Sequence, residues 1–396
     1  MQDLDHMCGV NATFAQHSLA TEGKALSGSI VCTRRLRCRA VCKALRRLAT
    51  DHAFLLAHHH RQPAQRLVSF VRDVNHDLEI LDYCVEALGF RTHEFRSVVR
   101  FTGEDYSCVV DEIPFVLHAV CDGLLLMSYQ EILYICNPAT RQWASVLTPT
   151  LPFDMVVGLY AHVPSGDYRV LYCKRYKLRS NNFFISDVGS KNKRHIISDL
   201  SSASMRKWLP RGSAAECIEG PTISHGNLHW LPHNSRQENI LVFDTTNEIF
   251  KLLLAPVTIE RAASLLEIDG MLAMSNSHVE SYVDLWLLQD YKLAVWVHKY
   301  RIELPVIEFR RFEEDDDDCW SAKVVSREGD VLVDGFATVD WQFHYDRKGN
   351  LLKKYLCDGR LLTFTKHILR ESLVPHAIFQ NQQNRCTCEP PFFRGL

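Results

Sequence analysis

The stretch Leu265-Leu-Glu-Ile-Asp-Gly270-Met-Leu-Ala-Met274, followed by Val283-Asp-Leu-Trp-Leu-Leu288, decides the fold class. Two short apolar runs flank Asp269-Gly270, a pair suited to the positive φ of a two-residue hairpin turn. A third run ends in polar residues. Strand, glycine turn, strand, loop and strand is a β grammar, because a helix would need apolar positions three and four apart over a longer span.

The same grammar appears on both sides of that stretch. Upstream, Val116–Val120, Cys121-Asp122-Gly123 and Leu124–Met127 form one unit with Ile132–Cys136 and Asn137-Pro138. Met155–Ala161, Ser165-Gly166-Asp167 and Tyr168–Cys173 start another, and Ile223-Ser-His-Gly226-Asn-Leu-His-Trp230 with Ile240-Leu-Val-Phe-Asp-Thr245 starts a third. Downstream, Asp330-Val-Leu-Val-Asp-Gly335 precedes Trp341-Gln-Phe-His-Tyr-Asp-Arg-Lys-Gly349. The Asp-Gly pairs at 122, 269, 334 and 358 all read as turns. Units recur at roughly 40–50 residues, within the range of propeller blades. One such sheet cannot bury both faces, whereas several packed radially can. The expectation is a mainly β protein, with a β-propeller-like domain of about six or seven blades over residues 63–380 and a β-sandwich pair as the alternative.

Residues 33–62 have a different period. Leu36, Ala40, Val41, Ala44, Leu45 and Leu48 recur at helical spacing among Arg and Lys, with Thr33 as a candidate N-cap. A further helical turn follows Asp51 and carries Phe54 and Leu55, and Gln62-Pro63 ends it. Residues 1–32 read as a weakly ordered tail and 381–396 as a C-terminal tail.

Composition narrows the function. The chain has 396 residues, 46% hydrophobic and 23% charged, with 45 Lys and Arg against 47 Asp and Glu for a net charge of −2. That balance disfavours a whole-chain polyanion binder. No long uncharged apolar run suggests a membrane span, and the first thirty residues lack the apolar core of a secretory signal, so a cytoplasmic or nuclear location is expected. The 14 cysteines are scattered. Cys38-x3-Cys42 and Cys386-Thr-Cys388 have no second ligand pair at zinc-finger spacing, so reduced thiols and no structural zinc are expected.

The residues of the helical segment resemble a known family. Arg37-Cys-Arg-Ala-Val-Cys-Lys-Ala-Leu45 and Asp51-His-Ala-Phe-Leu-Leu-Ala-His58 are similar to the second half of a plant F-box, with pattern R-x-R-x-V-C-x-x-W and then D-P-x-F-x-x-x-H. Cys121-Asp-Gly-Leu-Leu-Leu126 with Leu133-Tyr-Ile-Cys-Asn-Pro-Ala-Thr-Arg-Gln-Trp143 resembles the opening of the plant F-box-associated domain. His225-Gly-Asn-Leu-His-Trp230, Leu285-Trp-Leu-Leu-Gln-Asp-Tyr291, Tyr345-Asp-Arg-Lys-Gly-Asn350 and His367-Ile-Leu-Arg-Glu-Ser-Leu-Val-Pro-His376 fit in order, closest to the grass-type families. The likeness covers most of residues 36–379. It departs in two places: residues 1–35 hold no L-P-x-(D/E) opening, and Leu45 stands where the family has Trp. The F-box is therefore expected to be truncated to its C-terminal half.

The resemblance implies a substrate-recognition subunit of an SCF-type cullin–RING ubiquitin ligase. Leu36, Arg37, Val41, Cys42 and Leu45 would face a Skp-family adaptor, and the propeller would face a target protein that the sequence does not identify. The alternative is a protein-binding propeller without ligase attachment, its helix lying as a cap on the blades. Nucleic-acid binding by the Arg-rich helix is disfavoured, because no stacking aromatics interleave the charges.

Other features read as structural. His58-His59-His60 do not share one helical face and suit a helix C-terminus better than a metal. Glu313-Glu-Asp-Asp-Asp-Asp318 lacks the ligand spacing of a calcium loop and reads as a solvated connection. Trp143, Trp230, Trp286 and Trp296 sit in strand patterns and read as blade core. Cys42 beside Lys43 reads as a structural thiol. No G-x-S-x-G, phosphate-loop or H-E-x-x-H motif is present, so no catalytic residue and no cofactor are expected.

Overall fold

The structure is a computed structural model. It describes Arg47 and residues 50–73, 80–104, 115–129, 132–146, 154–176, 180–190, 193–196, 200, 207–208, 220–232, 237–260, 263–278, 282–305, 320–335, 341–356, 361–380 and 393. Helix α1 (His52–Arg61) comes first, capped by Asp51, whose carboxylate accepts from the Phe54 amide at 2.8 Å. Three strands follow: β1 (Gln65–Asp73), β2 (Ile80–Gly89) and β3 (Glu94–Glu104). Then come five sheets' worth of strands. Blade II holds β4 (Phe115–Cys121), β5 (Leu124–Tyr129), β6 (Ile132–Asn137) and β7 (Gln142–Ser145). Blade III holds β8 (Asp154–His162), β9 (Asp167–Tyr176), β10 (Ser180–Asp187) and β11 (Lys193–Ile196). Blade IV holds β12 (Thr222–Ser224), β13 (Asn227–Trp230), β14 (Gln237–Asp244) and β15 (Ile249–Ile259). Blade V holds β16 (Ser264–Ile268), β17 (Met271–His278), β18 (Tyr282–Asp290) and β19 (Val295–Glu303). Blade VI holds β20 (Trp320–Val324), β21 (Val331–Gly335), β22 (Trp341–Tyr345) and β23 (Leu351–Leu356).

The last strand, β24 (Leu361–Leu369), completes blade I by pairing antiparallel with β1, and the short helix α2 (Ala377–Gln380) ends the described chain before Phe393. Six four-stranded antiparallel sheets therefore make a six-bladed propeller, with the ring closed by strands from both ends of the chain. Closure between the two ends hides edges that an open array would expose.

The turns explain the repeated grammar. Asp122-Gly123, His225-Gly226 and Asp269-Gly270 join the first two strands of their blades with both residues at positive φ. The third strand ends in Asn137, Asp187, Asp244 or Asp290 in blades II to V, and Asp346 directly follows it in blade VI. Asp244 Oδ1 accepts from the amides of Thr246 (3.0 Å) and Asn247 (2.9 Å), and Asp290 Oδ1 from those of Lys292 (2.9 Å) and Leu293 (3.0 Å). The carboxylate thereby satisfies the turn's backbone donors. Asp334-Gly335 departs from the expectation: it lies within β21, paired with Ser321 and Trp320, because the chain stays extended there.

Each seam between neighbouring blades is filled by apolar side chains. Leu67, Val85 and Phe101 meet Phe115, Leu125 and Met127 between blades I and II, and Leu126 and Ile135 meet Leu159 and Val170 between II and III. The seam between III and IV holds Tyr160, Leu171 and Phe183 against Leu228, Trp230 and Phe243. Trp208, from the connection between these two blades, is buried in the same cluster and donates its indole N–H to the Asn239 carbonyl at 3.0 Å. The closing seam between VI and I holds, among the described residues, Val68, Leu88, Leu332 and Tyr355. Trp230 is buried in a seam as expected, and Trp143, Trp286 and Trp296 pack partly buried against others.

Alternating strand direction sorts the connections onto two faces. One, the turn face, carries tight joins, such as 122–123, 138–141, 245–248 and 269–270. At the other, the crossover face, the chain leaves one blade for the next, as between β3 and β4, β11 and β12, and β19 and β20.

Candidate functional site: a helix and strap on the turn face

Helix α1 lies against the turn face. Leu55 packs on Ala139 of blade II and on Leu373 and Val374, which follow β24. His59, 6% exposed, donates from Nδ1 to the Glu371 carbonyl at 2.9 Å. Of the three consecutive histidines, His59 is thus an anchor, while His58 meets Gln62 one turn on, so they do not converge. Among the described residues no group of three His, Cys, Asp or Glu is placed to hold a metal.

Residues 370–376 run across the turn face and touch four blades. Arg370 pairs with Glu267 at 3.0 Å and Glu371 with Arg96 at 2.7 Å, while Asn137 donates to the Ser372 carbonyl at 3.0 Å. His376 meets Tyr168 edge-on at 5.3 Å, and Phe379 enters the seam between blades II and III. Tyr168 in turn donates to Asp122 at 3.0 Å. Burial raises the Glu371 carboxyl against the opposing pull of Arg96.

Gly123 shows how closely this segment is laid down. A Cβ there would lie 2.6 Å from Ser372 Cβ and 2.9 Å from the Arg370 carbonyl oxygen, at φ +81°. Gly270 occupies the same turn position in blade V at φ +82° with nothing within 4 Å. Gly270→Ala should therefore cost about 1 kcal/mol, the strain of a left-handed alanine. Gly123→Ala should cost about 2–4 kcal/mol, because overpacking adds to that strain. Urea titrations of the two variants measure the difference, and equal losses would contradict the close approach.

The turn face also holds a buried ionic brace. Glu248, at φ +56° in the outer turn of blade IV, accepts from Tyr160 Oη and Arg169 Nη1, both at 2.6 Å, and from Arg194. Arg169 further pairs with Asp187 at 2.9 Å. Near the propeller axis His367 of β24 lies against Gly220, whose added Cβ would be 2.5 Å from His367 Cε1. Burial lowers His118 and His367 to about 4; the neighbouring His367 adds to the effect on His118, and Lys366 and Arg66 add to it on His367 against a backbone hydrogen bond with Leu117. Burial also pushes the Cys121 and Cys136 thiols well up, leaving them protonated and unreactive. These groups are held inert by packing.

The candidate adaptor residues Leu36, Arg37, Val41, Cys42 and Leu45 lie outside the described residues, as do Thr33, Cys38, Cys386, Cys388, Asp358 and the acidic run Glu313–Asp318. Thr50, directly before α1, donates its amide to the Arg47 carbonyl at 3.1 Å. Sequence reading places α1 after Asp51, with Phe54 and Leu55, and ends it at Gln62-Pro63. It missed the strap, whose Leu373 and Val374 show neither strand nor helix period, and Trp208, which stands alone in a polar connection.

Six four-stranded sheets closed into a ring, with helix α1 docked on one face, define a protein of the six-bladed β-propeller class. A family model, the F-box associated beta propeller domain, matches residues 92–360, and the chain belongs to that family. Two curated proteins of Arabidopsis thaliana are similar to it. "Putative F-box only protein 9" is 24% identical over 289 residues, covering 68% of this chain and 72% of that one. "F-box protein CPR1" is 22% identical over 309 residues, covering 68% and 69%. Among solved structures TolB from Acinetobacter baumannii aligns with a TM-score of 0.39 and 11% identity over 83% of this chain and 72% of that one. Among the described residues no helix is long and apolar enough to cross a membrane.

Proposed function

We propose that the chain is a non-catalytic substrate-receptor subunit of an SCF-type cullin–RING ubiquitin ligase. The Skp-family adaptor binds the segment ending in α1, and a target protein binds the crossover face. Family membership supports this reading, and the observation that carries it is the seating of α1. The helix buries Leu55 and His59 on the propeller and leaves Ala53, Leu56 and Ala57 exposed on its other side. A helix serving only as a cap would bury its apolar stripe downward. Here a second stripe faces away from the blades, toward whatever the preceding segment recruits. The strap covers part of the turn face, which leaves the crossover face for the target. Such a subunit raises the local concentration of target lysines near the conjugating enzyme and makes no bond itself.

The specific observation behind the second reading, a propeller without ligase attachment, is the missing L-P half together with Leu45 in place of Trp. Titration calorimetry with a Skp-family adaptor separates the two. The full chain should bind weakly. Leu45→Trp should tighten binding by about 1–2 kcal/mol through added aromatic burial, and a complete first F-box helix grafted before Leu36 should tighten it further. Failure of the grafted chain to bind would reject ligase attachment, and native binding as tight as a complete F-box protein's would reject the truncation.

A further inference from the structure

We propose that residues 370–376 are a positioning strap that locks the last helix of the adaptor-binding segment onto the propeller, with His59 and Glu371 as its clasp. This deepens the ligase reading and rests on it for its functional consequence, though not for its structural one.

Five observations carry it. Helix α1 has ten residues, too few to persist alone in water, so its order depends on what it packs against. What it packs against is chiefly the strap: Leu55 on Leu373 and Val374, and His59 on the Glu371 carbonyl. The strap in turn is held by groups from separate blades, namely Glu267 of blade V, Arg96 of blade I, Asn137 of blade II and Tyr168 of blade III. Arg96 also donates to Gln65 at 3.0 Å, three residues after Gln62 caps α1, so the helix exit and the strap share one arginine. Finally, Gly123 lets the strap lie closer to the blade II turn than any side chain would permit.

The consequence is geometric. The strap follows β24, the strand that closes the ring, so α1 is clamped between the two ends of the propeller chain. A helix tied only through residues 62–64 would swing on that short linker. A helix held by the strap moves with the blades as one body, which fixes the distance between an adaptor on α1 and a target on the crossover face. Fixed placement is what transfer to a particular lysine requires, since loosening the geometry trades orientation for reach.

The test uses the full chain and three variants. His59→Leu removes the donor and leaves the Glu371 carbonyl unpaired, and Leu373→Ala removes the apolar contact from the strap side. His59→Asn keeps a donor at the place of Nδ1. Amide exchange by mass spectrometry should show protection across His52–Arg61 falling about tenfold or more in His59→Leu and Leu373→Ala, while His59→Asn retains most of it and strands β17 and β21 exchange as in the parent. Unchanged α1 protection in both disruptive variants would overturn the strap. The second readout is self-ubiquitylation after reconstitution with adaptor, cullin, RING subunit and conjugating enzyme, mapped by peptide mass spectrometry. The parent should modify a restricted set of its own lysines, and His59→Leu a wider set at similar adaptor affinity. An identical pattern despite lost α1 protection would overturn the positioning role. A chain that shows the exchange effect but binds no adaptor would overturn the ligase reading and leave the strap standing.

Discussion

Replacing Glu248 by alanine is expected to destabilise the propeller by about 2–3 kcal/mol, because it removes the buried carboxylate that Tyr160 and Arg169 share with half-exposed Arg194, while Arg169 keeps its pair with Asp187. Glu248 is 7% exposed and takes hydrogen bonds from Tyr160, Arg169 and Arg194, all on blade III, while it sits on blade IV. The brace therefore ties two blades together. Burial holds the Tyr160 hydroxyl protonated as a donor against the opposing pull of Arg169 and Arg194. Glu248→Gln keeps an acceptor for Tyr160 but not the charge, and should cost about half as much. Glu248→Gly relieves the left-handed backbone strain, worth about 1 kcal/mol, so it should be less damaging than alanine despite losing the same contacts. Urea unfolding orders the three. A loss below about 1 kcal/mol for Glu248→Ala would show that the brace contributes nothing beyond a solvated pair.

The second large effect is acid lability. Burial lowers His118, His229, His367 and His376 to about 4 each. In the unfolded chain these rings titrate near 6.5. Between those values the unfolded state binds more protons, so stability rises with pH there and falls as pH drops from about 6.5 toward 4. Each histidine contributes on the order of 2–3 kcal/mol across the window, and the neighbouring His118 and His367 do not add independently. Asp244 opposes none of this. Although burial raises it, hydrogen bonds from Lys251 and Asn247 outweigh that and hold it at about 2, so it stays ionised throughout and its contribution is lost only at lower pH. Urea midpoints measured from pH 7 to 4 should fall steeply. His229→Gln should flatten the slope by about one proton, since glutamine cannot titrate. A flat profile would mean that these rings are solvated.

Much of the propeller is readable where turn chemistry is local. Asp122-Gly123 and Asp269-Gly270 announce hairpins because few other pairs tolerate two positive φ values in succession. The residues that close or directly follow third strands, Asp244, Asp290 and Asp346, announce turns because a carboxylate beside bare amides satisfies them. Fourth strands are harder to see. β11, Lys193-Arg-His-Ile196, has three exposed residues in four and no alternation. Blade number was open between six and seven because the chain between β11 and β12 and between β19 and β20 takes up length without adding a blade among the described residues, and because one blade takes strands from both termini. Asp334-Gly335 misled because the same dipeptide fits the end of an extended strand.

The functional surface was less readable for a related reason. The contacts that seat α1 join residues about 300 apart, such as His59 with Glu371 and Arg96 with Glu371, and no local period records them. Glu248 carries no signal either, since glutamate in a turn looks solvated until three blade III side chains close over it. What the residues did reveal was the boundary: a helical turn following Asp51 and Gln62-Pro63 as its stop place α1 immediately before β1.

The most direct test of the central claim, that this propeller is a ligase receptor, is affinity purification of the full chain from plant cells treated with a proteasome inhibitor, with quantitative mass spectrometry. The expected result is a Skp-family adaptor and a cullin recovered together with the chain, both increased by Leu45→Trp, plus a target whose abundance rises with the inhibitor. Recovery of partner proteins with neither adaptor nor cullin, in the native chain and in Leu45→Trp alike, would contradict it and leave a binding propeller outside the ubiquitin system.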